Sequence, residues 1–383
     1  MKKTKFLAVL GAVVLAGGVL TACDNTPKYE IKFDYTVKMG LQGNSGGSCG
    51  DAALNEDYFA KEGIAVDYEV LSGPNVASNV LAGTLDVGFL GNGVAWNYFA
   101  EGSKMKIFAI DNITDDDRLM ANPNSEKAKN LKAVTAGVKE TNYSELADAL
   151  AGAKVIYEEA RTPGAFFQSL VTEINENVTD DKKVWFKTIG NTNFPSGLTD
   201  YKSDRQIMTE GSASDANIPA AITSGNYDFA VSFSPTATTI LSKGWKTVAR
   251  TSTHLSTENI VPSTWAVNTD FLVAHTEEFK AFVRGLLQGM QFRHEDPTQV
   301  AKYIEKDVNY TTPWESIDMD NAAWPTIADQ KEWCATGGMA YTYVENIRNN
   351  HLNNPDNKDK IVKTAAEACD FTYVLEAATA LAA

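Results

Sequence analysis

Short apolar runs along the chain alternate with stretches whose apolar residues recur at helical spacing. The first half gives YTVKMGL (35–41), a helical pattern over about 52–62, VDYEVL (66–71), a second helical pattern from about Val76, and LDVGFL (85–90). A helical pattern through Trp96 and Phe99 follows, then KIFAI (106–110). The alternation returns as AKVIYEE (153–159) before a helix from Pro163, KVWFKTI (183–189), and YDFAVSF (227–233) before a helix from Pro235. Strands separated by helices at this spacing predict parallel βαβ units and an α/β fold of two lobes. From Glu277 the pattern is largely helical, and Phe279, Phe282, Leu286 and Met290 share one stripe, which reads as core. Ligands of such sheets bind at the carboxyl ends of the strands, so the cleft between the lobes is the expected site.

The first residues have a different character. Lys2, Lys3 and Lys5 precede the uncharged run 6–20, and Leu20-Thr21-Ala22-Cys23 leads into Asp24 and Asn25. About fifteen apolar residues fall short of the roughly 20 that a spanning helix needs. A basic start, a short apolar middle and small residues before a break read as an export signal over 1–22. An uncleaved anchor or a buried N-terminal helix is the alternative. Residues 23–33 form a polar tether, and the body of about 350 residues beyond it suits two domains. That body is globular in composition, since 44% of the chain is apolar and 22% charged.

Removing the leader leaves 31 basic and 49 acidic residues, which takes the net charge from −15 to −18. A surface of that sign repels nucleic acid, and no basic run interleaved with aromatics appears. Cys49, Cys334 and Cys369 lie beyond Cys23, an odd number for an exported protein. Cys334 and Cys369 can pair and leave Cys49 free, but spacing alone leaves the connectivity open.

Four turns carry the candidate chemistry. The first, GLQGNSGGSCGDAAL, contains Gly43-Asn44-Ser45-Gly46-Gly47, a formal match to G-x-S-x-G. Ser45 is followed by further loop residues before any helix, which argues against a nucleophile elbow, so a hydrolase is a minor reading. The second is Gly91-Asn92-Gly93. In EEARTPGAFFQSLV, Thr162 is a candidate cap with Pro163 at the first helical position, and Arg161 can face an anionic ligand or pair with Glu158 or Glu159. In VSFSPTATTIL, Ser234 and Pro235 repeat that device. No metal-ligand spacing is present, and Asp115, Asp116 and Asp117 read as a solvated acidic loop.

Several segments resemble the solute-binding proteins of ABC importers in the nitrate, sulfonate and taurine group, whose broader family includes binders of thiamine precursors. They are VASNVLAGTLDVGFLGNGVAWNYFAEG, AAITSGNYDFAVSFSPTATTILSKG and HTEEFKAFVRGLLQGMQFRHEDPTQVAKYI. Residues 20–23 likewise resemble the lipobox of bacterial lipoproteins, which implies lipidation of Cys23 and anchoring on the outer face of a membrane. The likeness covers about 34–305. It implies a two-lobed periplasmic-binding-protein fold of type II with a helical C-terminal extension, lobe one being 34–119 with 255–383 and lobe two 120–254. It also implies hinge closure on a ligand held by Asn44, Asn92, Gly93, Arg161, Thr162 and Ser234, with Trp265 a weaker candidate for the cleft wall. The loop 190–219, the Cys49 turn and the long C-terminal region depart from the group.

The resulting expectation is a monomeric, non-catalytic receptor without cofactor or metal, which hands a small solute to a membrane permease and its cytoplasmic ATPase. A sulfonate- or nitrate-like oxyanion is the expected ligand. The alternatives are a neutral heteroaromatic vitamin precursor stacked on Trp96, Phe166 or Trp265, a serine hydrolase using Ser45, and a ligand-sensing receptor.

Overall fold

The apolar runs become strands of two sheets in the computed structural model, which describes residues 29–91, 100, 102–159, 161–188, 191–193, 202–211, 213–353 and 363–382. The first sheet contains β1 (Thr36–Leu41), β2 (Ala65–Val70), β3 (Val87–Leu90), β4 (Met105–Thr114), β12 (Ser263–Asn268) and β13 (Ala322–Ala323), in the order β13-β4-β12-β3-β1-β2. The second contains β5 (Arg118–Ala121), β6 (Lys154–Ile156), β7 (Trp185–Thr188), β8 (Asn191–Asn193), β9 (Gln206–Glu210), β10 (Phe229–Ser232) and β11 (Lys246–Arg250). Its order is β11-β5-β10-β6-β9-β7-β8.

Pairing is parallel between β1 and both β2 and β3, and between β6 and both β9 and β10. Elsewhere the sheets are mixed, against the expectation of parallel units. β12 runs antiparallel between β3 and β4, and β5 antiparallel between β10 and β11. These are the strands next to the two crossovers. The chain passes from β4 to β5 through only Asp115, Asp116 and Asp117, and returns from β11 to β12. All six residues of β12 are buried, polar and apolar alike, so it lacks the alternation that marks a half-buried strand.

Helix Thr276–Glu295 lies at the centre of the first lobe, with Phe279, Phe282, Leu286 and Met290 fully buried. Helix Cys49–Asn55 packs against it where Gly289 removes a side chain. A Cβ at Gly289 would stand 2.2 Å from the Cys49 carbonyl oxygen and 3.0 Å from Ala53 Cβ. Gly→Ala inside a helix ordinarily gains up to about 1 kcal/mol from propensity. Here the obstacle is backbone, which yields only by separating the helices. Gly289→Ala is therefore expected to destabilise by about 1–3 kcal/mol, read as a lower urea midpoint.

The C-terminal region covers the same lobe. Tyr343, Val344, Ile347, Phe371 and Val374 join the core around Phe279, and the Asp370 N–H donates to the Ile107 carbonyl at 2.8 Å. Cys49, Cys334 and Cys369 are free and buried, so the Cys334–Cys369 pairing is corrected. Both thiols sit among apolar side chains of this core, and burial raises both above their ordinary range. Among the described residues no helix is long and apolar enough to cross a membrane. Cys23 and the leader lie outside the described residues, as does much of the 190–219 loop.

Candidate functional site

The carboxyl ends of β1, β3, β4 and β10 meet at a cavity of about 460 Å³ between the lobes. Asn44, Arg161, Thr162 and Ser234 line it, as do Gly91, Phe89 and Phe233. Asn92, Gly93 and Trp96 lie outside the described residues. Trp265 does not line the cavity. It is fully buried and its Nε1 donates to Asp111 Oδ1 at 2.7 Å, which corrects its role as a cleft wall. Phe166 is also core, at 2% exposure, because helix Thr162–Glu176 turns it into the second lobe.

The glycines of the first turn serve packing. Gly43 and Gly47 have φ of +65° and +77°, and a Cβ on Gly47 would lie 2.5 Å from the Phe89 ring. Beneath this turn lies a buried network around Asp111. Its carboxylate accepts from the Gly47 N–H at 3.1 Å, Cys49 Sγ at 3.2 Å, Trp265 Nε1 and Arg293 Nη1. Arg293, fully buried, also donates to the Asp111 carbonyl at 2.8 Å and stacks on Trp324 at 4.4 Å.

Among the described residues the Ser45 hydroxyl hydrogen-bonds only Asn321, at 3.3 to 3.5 Å. Among the described residues no histidine lines the cavity; His254 is held by Asn142 and Thr253, and His275 stacks on Tyr35. Cys49 is no better as a nucleophile, since burial first, and then Asp111, raises its thiol well above the usual range.

The acidic run of the first crossover is the feature most unlike its sequence reading. Asp116 and Asp117 are 6% and 1% exposed, so the solvated-loop expectation is wrong. Each carboxylate holds the start of a second-lobe helix. Asp115 accepts from the N–H and Oγ of Ser252, in helix Thr251–His254, at 2.6 and 2.7 Å. Asp116 accepts from the N–H and Oγ of Ser234, just ahead of helix Thr236–Ser242, at 2.9 and 2.8 Å. Asp117 Oδ1 accepts from Thr162 Oγ1 at 2.9 Å. Carboxylates placed there complement the positive ends of the helix dipoles. The predicted caps change accordingly: Arg161 is the N-cap of helix Thr162–Glu176, Pro235 that of Thr236–Ser242, and the Thr162 and Ser234 hydroxyls donate to aspartates.

The cations are paired as well. Arg161 Nε lies 3.1 Å from Glu158, Arg250 Nε 3.1 Å from Asp115, and Arg118 Nη2 2.9 Å from Asp116 and 3.5 Å from Asp318. Asp318 belongs to residues 312–324, a segment of the C-terminal region that walls the cleft with Thr312, Asn321 and Trp324. Two ties fix this segment to the crossover: β13 pairs with Ile113 and Thr114 of β4, and the Asp115 N–H donates to the Asn321 carbonyl at 2.6 Å. Asp116, Asp117, Asp318, Phe89, Phe233 and Trp324 were all missed as site residues. The one available signal was a run of three aspartates between two strands.

Two α/β lobes joined by two crossovers, with the cavity between them, define the periplasmic-binding-protein fold. The chain superposes on the nitrate-binding protein NrtA of Synechocystis with a TM-score of 0.57 at 15% identity, over 90% of this chain and 89% of that one. It superposes on the aliphatic sulphonate-binding SsuA of Escherichia coli with a TM-score of 0.58 at 12% identity, over 88% and 98%. The desulfurization enzyme DSZB shares the fold, with a TM-score of 0.56 at 11% identity, over 90% and 99%. In sequence, a provisionally named binding protein of Brucella abortus is 27% identical over 194 residues, half of this chain. The match takes in 57% of that relative's length. No protein-family profile matches the chain.

Proposed function

We propose that this protein is an extracytoplasmic solute receptor, lipidated at Cys23, that closes its two lobes on a small solute and delivers it to an ABC permease and its ATPase. The observation that carries this reading is a cavity between two lobes linked by two crossovers, the arrangement that permits hinge closure. The Brucella relative and the sulfonate- and nitrate-binding neighbours support a binding role, and the lipobox-like residues 20–23 support the anchor. The shielded Cys49 thiol and the lack of a base beside Ser45 among the described residues support binding without turnover. The oxyanion expectation meets opposition in the cleft, because Arg161, Thr162 and Ser234 are each engaged by a carboxylate of the protein itself.

A thermal-shift screen of the chain from residue 29 onward against anions, sulfonates, amino acids, amines and heterocycles tests the receptor reading. A solute at 100 times its dissociation constant stabilises the fold by about 2.7 kcal/mol, without being consumed. Covalent labelling by a serine-directed probe that vanishes in Ser45→Ala would instead make the protein a hydrolase.

A further inference from the structure

Resting on the reading of the cleft as a solute site, we infer that it selects a small flat solute carrying a cationic nitrogen, held between Asp117 and Asp318, and that it rejects oxyanions. Asp117 is 99% buried and lines the cavity. Its Oδ1 is taken by Thr162, whereas its Oδ2 has no hydrogen-bond partner among the described residues. A buried carboxylate oxygen left open to a cavity is a vacancy for a donor.

The charge balance points the same way. One guanidinium, Arg118, serves both Asp116 and Asp318, and Arg161 is matched by Glu158, so the lining carries excess negative charge. The second-lobe helix starts that would attract an oxyanion already carry Asp115, Asp116 and Asp117. Phe89, Phe233 and Trp324 supply aromatic walls, against which a flat cationic body gains both burial and cation–π attraction.

Three probes of similar shape and different charge test this: benzylammonium, benzyl alcohol and benzenesulfonate, titrated calorimetrically into the protein at pH 8.5. Benzylammonium is expected to bind about tenfold or more tightly than benzyl alcohol, with no binding of benzenesulfonate. Asp117→Asn and, independently, the more exposed Asp318→Lys should each weaken benzylammonium about tenfold, and Asp318→Lys should admit benzenesulfonate. Tighter binding of benzenesulfonate than of benzylammonium overturns the inference, as does a benzylammonium affinity unchanged in both variants. If none of the three binds while another compound of the broad screen does, the ligand class fails and the receptor reading stands. If nothing in either set binds, both fail.

Discussion

Replacing Arg293 by Met is expected to destabilise the protein by about 3–5 kcal/mol. Arg293 and Asp111 are both fully buried, and their ion pair ties helix Thr276–Glu295 to β4. Removing the guanidinium leaves Asp111 as an unmatched charge in the core. The neutral donors around it, Gly47 N–H, Trp265 Nε1, Cys49 Sγ and Asn112 Nδ2, cannot balance it. The damage reaches the cleft, because the same network holds the Asn44–Ser45 turn through Gly47 and one face of Trp324. Urea denaturation measures the loss. The double variant Asp111→Asn with Arg293→Met should recover part of it, since neither charge of the pair then remains. A single variant within about 1 kcal/mol of the parent would mean that the pair is not the anchor of this lobe.

Asp117→Asn should separate stability from binding. Burial first, and the neighbouring Asp116 second, raise the Asp117 carboxyl from 3.8 to about 8, against the lowering influence of the Thr162 hydrogen bond and Arg118. Asp215 adds to the rise from the second lobe, while Arg161 and Asp318 line the same cavity. The folded state therefore keeps a proton that the unfolded chain releases near pH 4. Stability from this group is complete below about pH 4 and is lost as pH rises towards 8. The Asn variant has no such proton to lose. It should match the parent near pH 4 and become progressively the more stable of the two up to about pH 8, after which their curves run parallel.

Binding reverses the order. A cation needs the charged carboxylate, so benzylammonium affinity should climb up to about tenfold per pH unit below pH 8 and level off above it, whereas the variant shows no such climb. Melting curves and titrations at pH 5, 7 and 9 measure both halves. A parent whose stability tracks that of the variant at every pH would remove the buried carboxyl from the account.

The strands 35–41, 85–90, 106–110 and 227–233 were legible in sequence, because each is a run of apolar residues bounded by turn residues. The stripe of Phe279, Phe282, Leu286 and Met290 was legible for the same local reason, since every stripe residue lies within one helix. β12 was not, because burial on both faces erased its alternation. Arg161 was open between a ligand and Glu158 or Glu159, and its Nε lies 3.1 Å from Glu158. Trp265 and Phe166 illustrate a further limit: an aromatic side chain near a turn belongs to the wall or to the core according to which face of its strand or helix meets the cleft.

By itself, the order of residues determined two α/β lobes, a helical close to the chain, a net acidic charge, and turns at the carboxyl ends of strands. These follow from period, composition and turn chemistry, which act over a few neighbours. Only the tertiary structure decided what those turns face. Asp116 and Asp117 meet Ser234 and Thr162 across 118 and 45 residues, and Asp318 reaches Arg118 from the far C-terminal region. Whether a carboxylate is solvated or buried, and whether a helix start is open to an anion or already occupied, depends on which distant segments share a volume. Asp116 and Asp117 of the crossover, read as part of a surface loop, line the cleft for that reason.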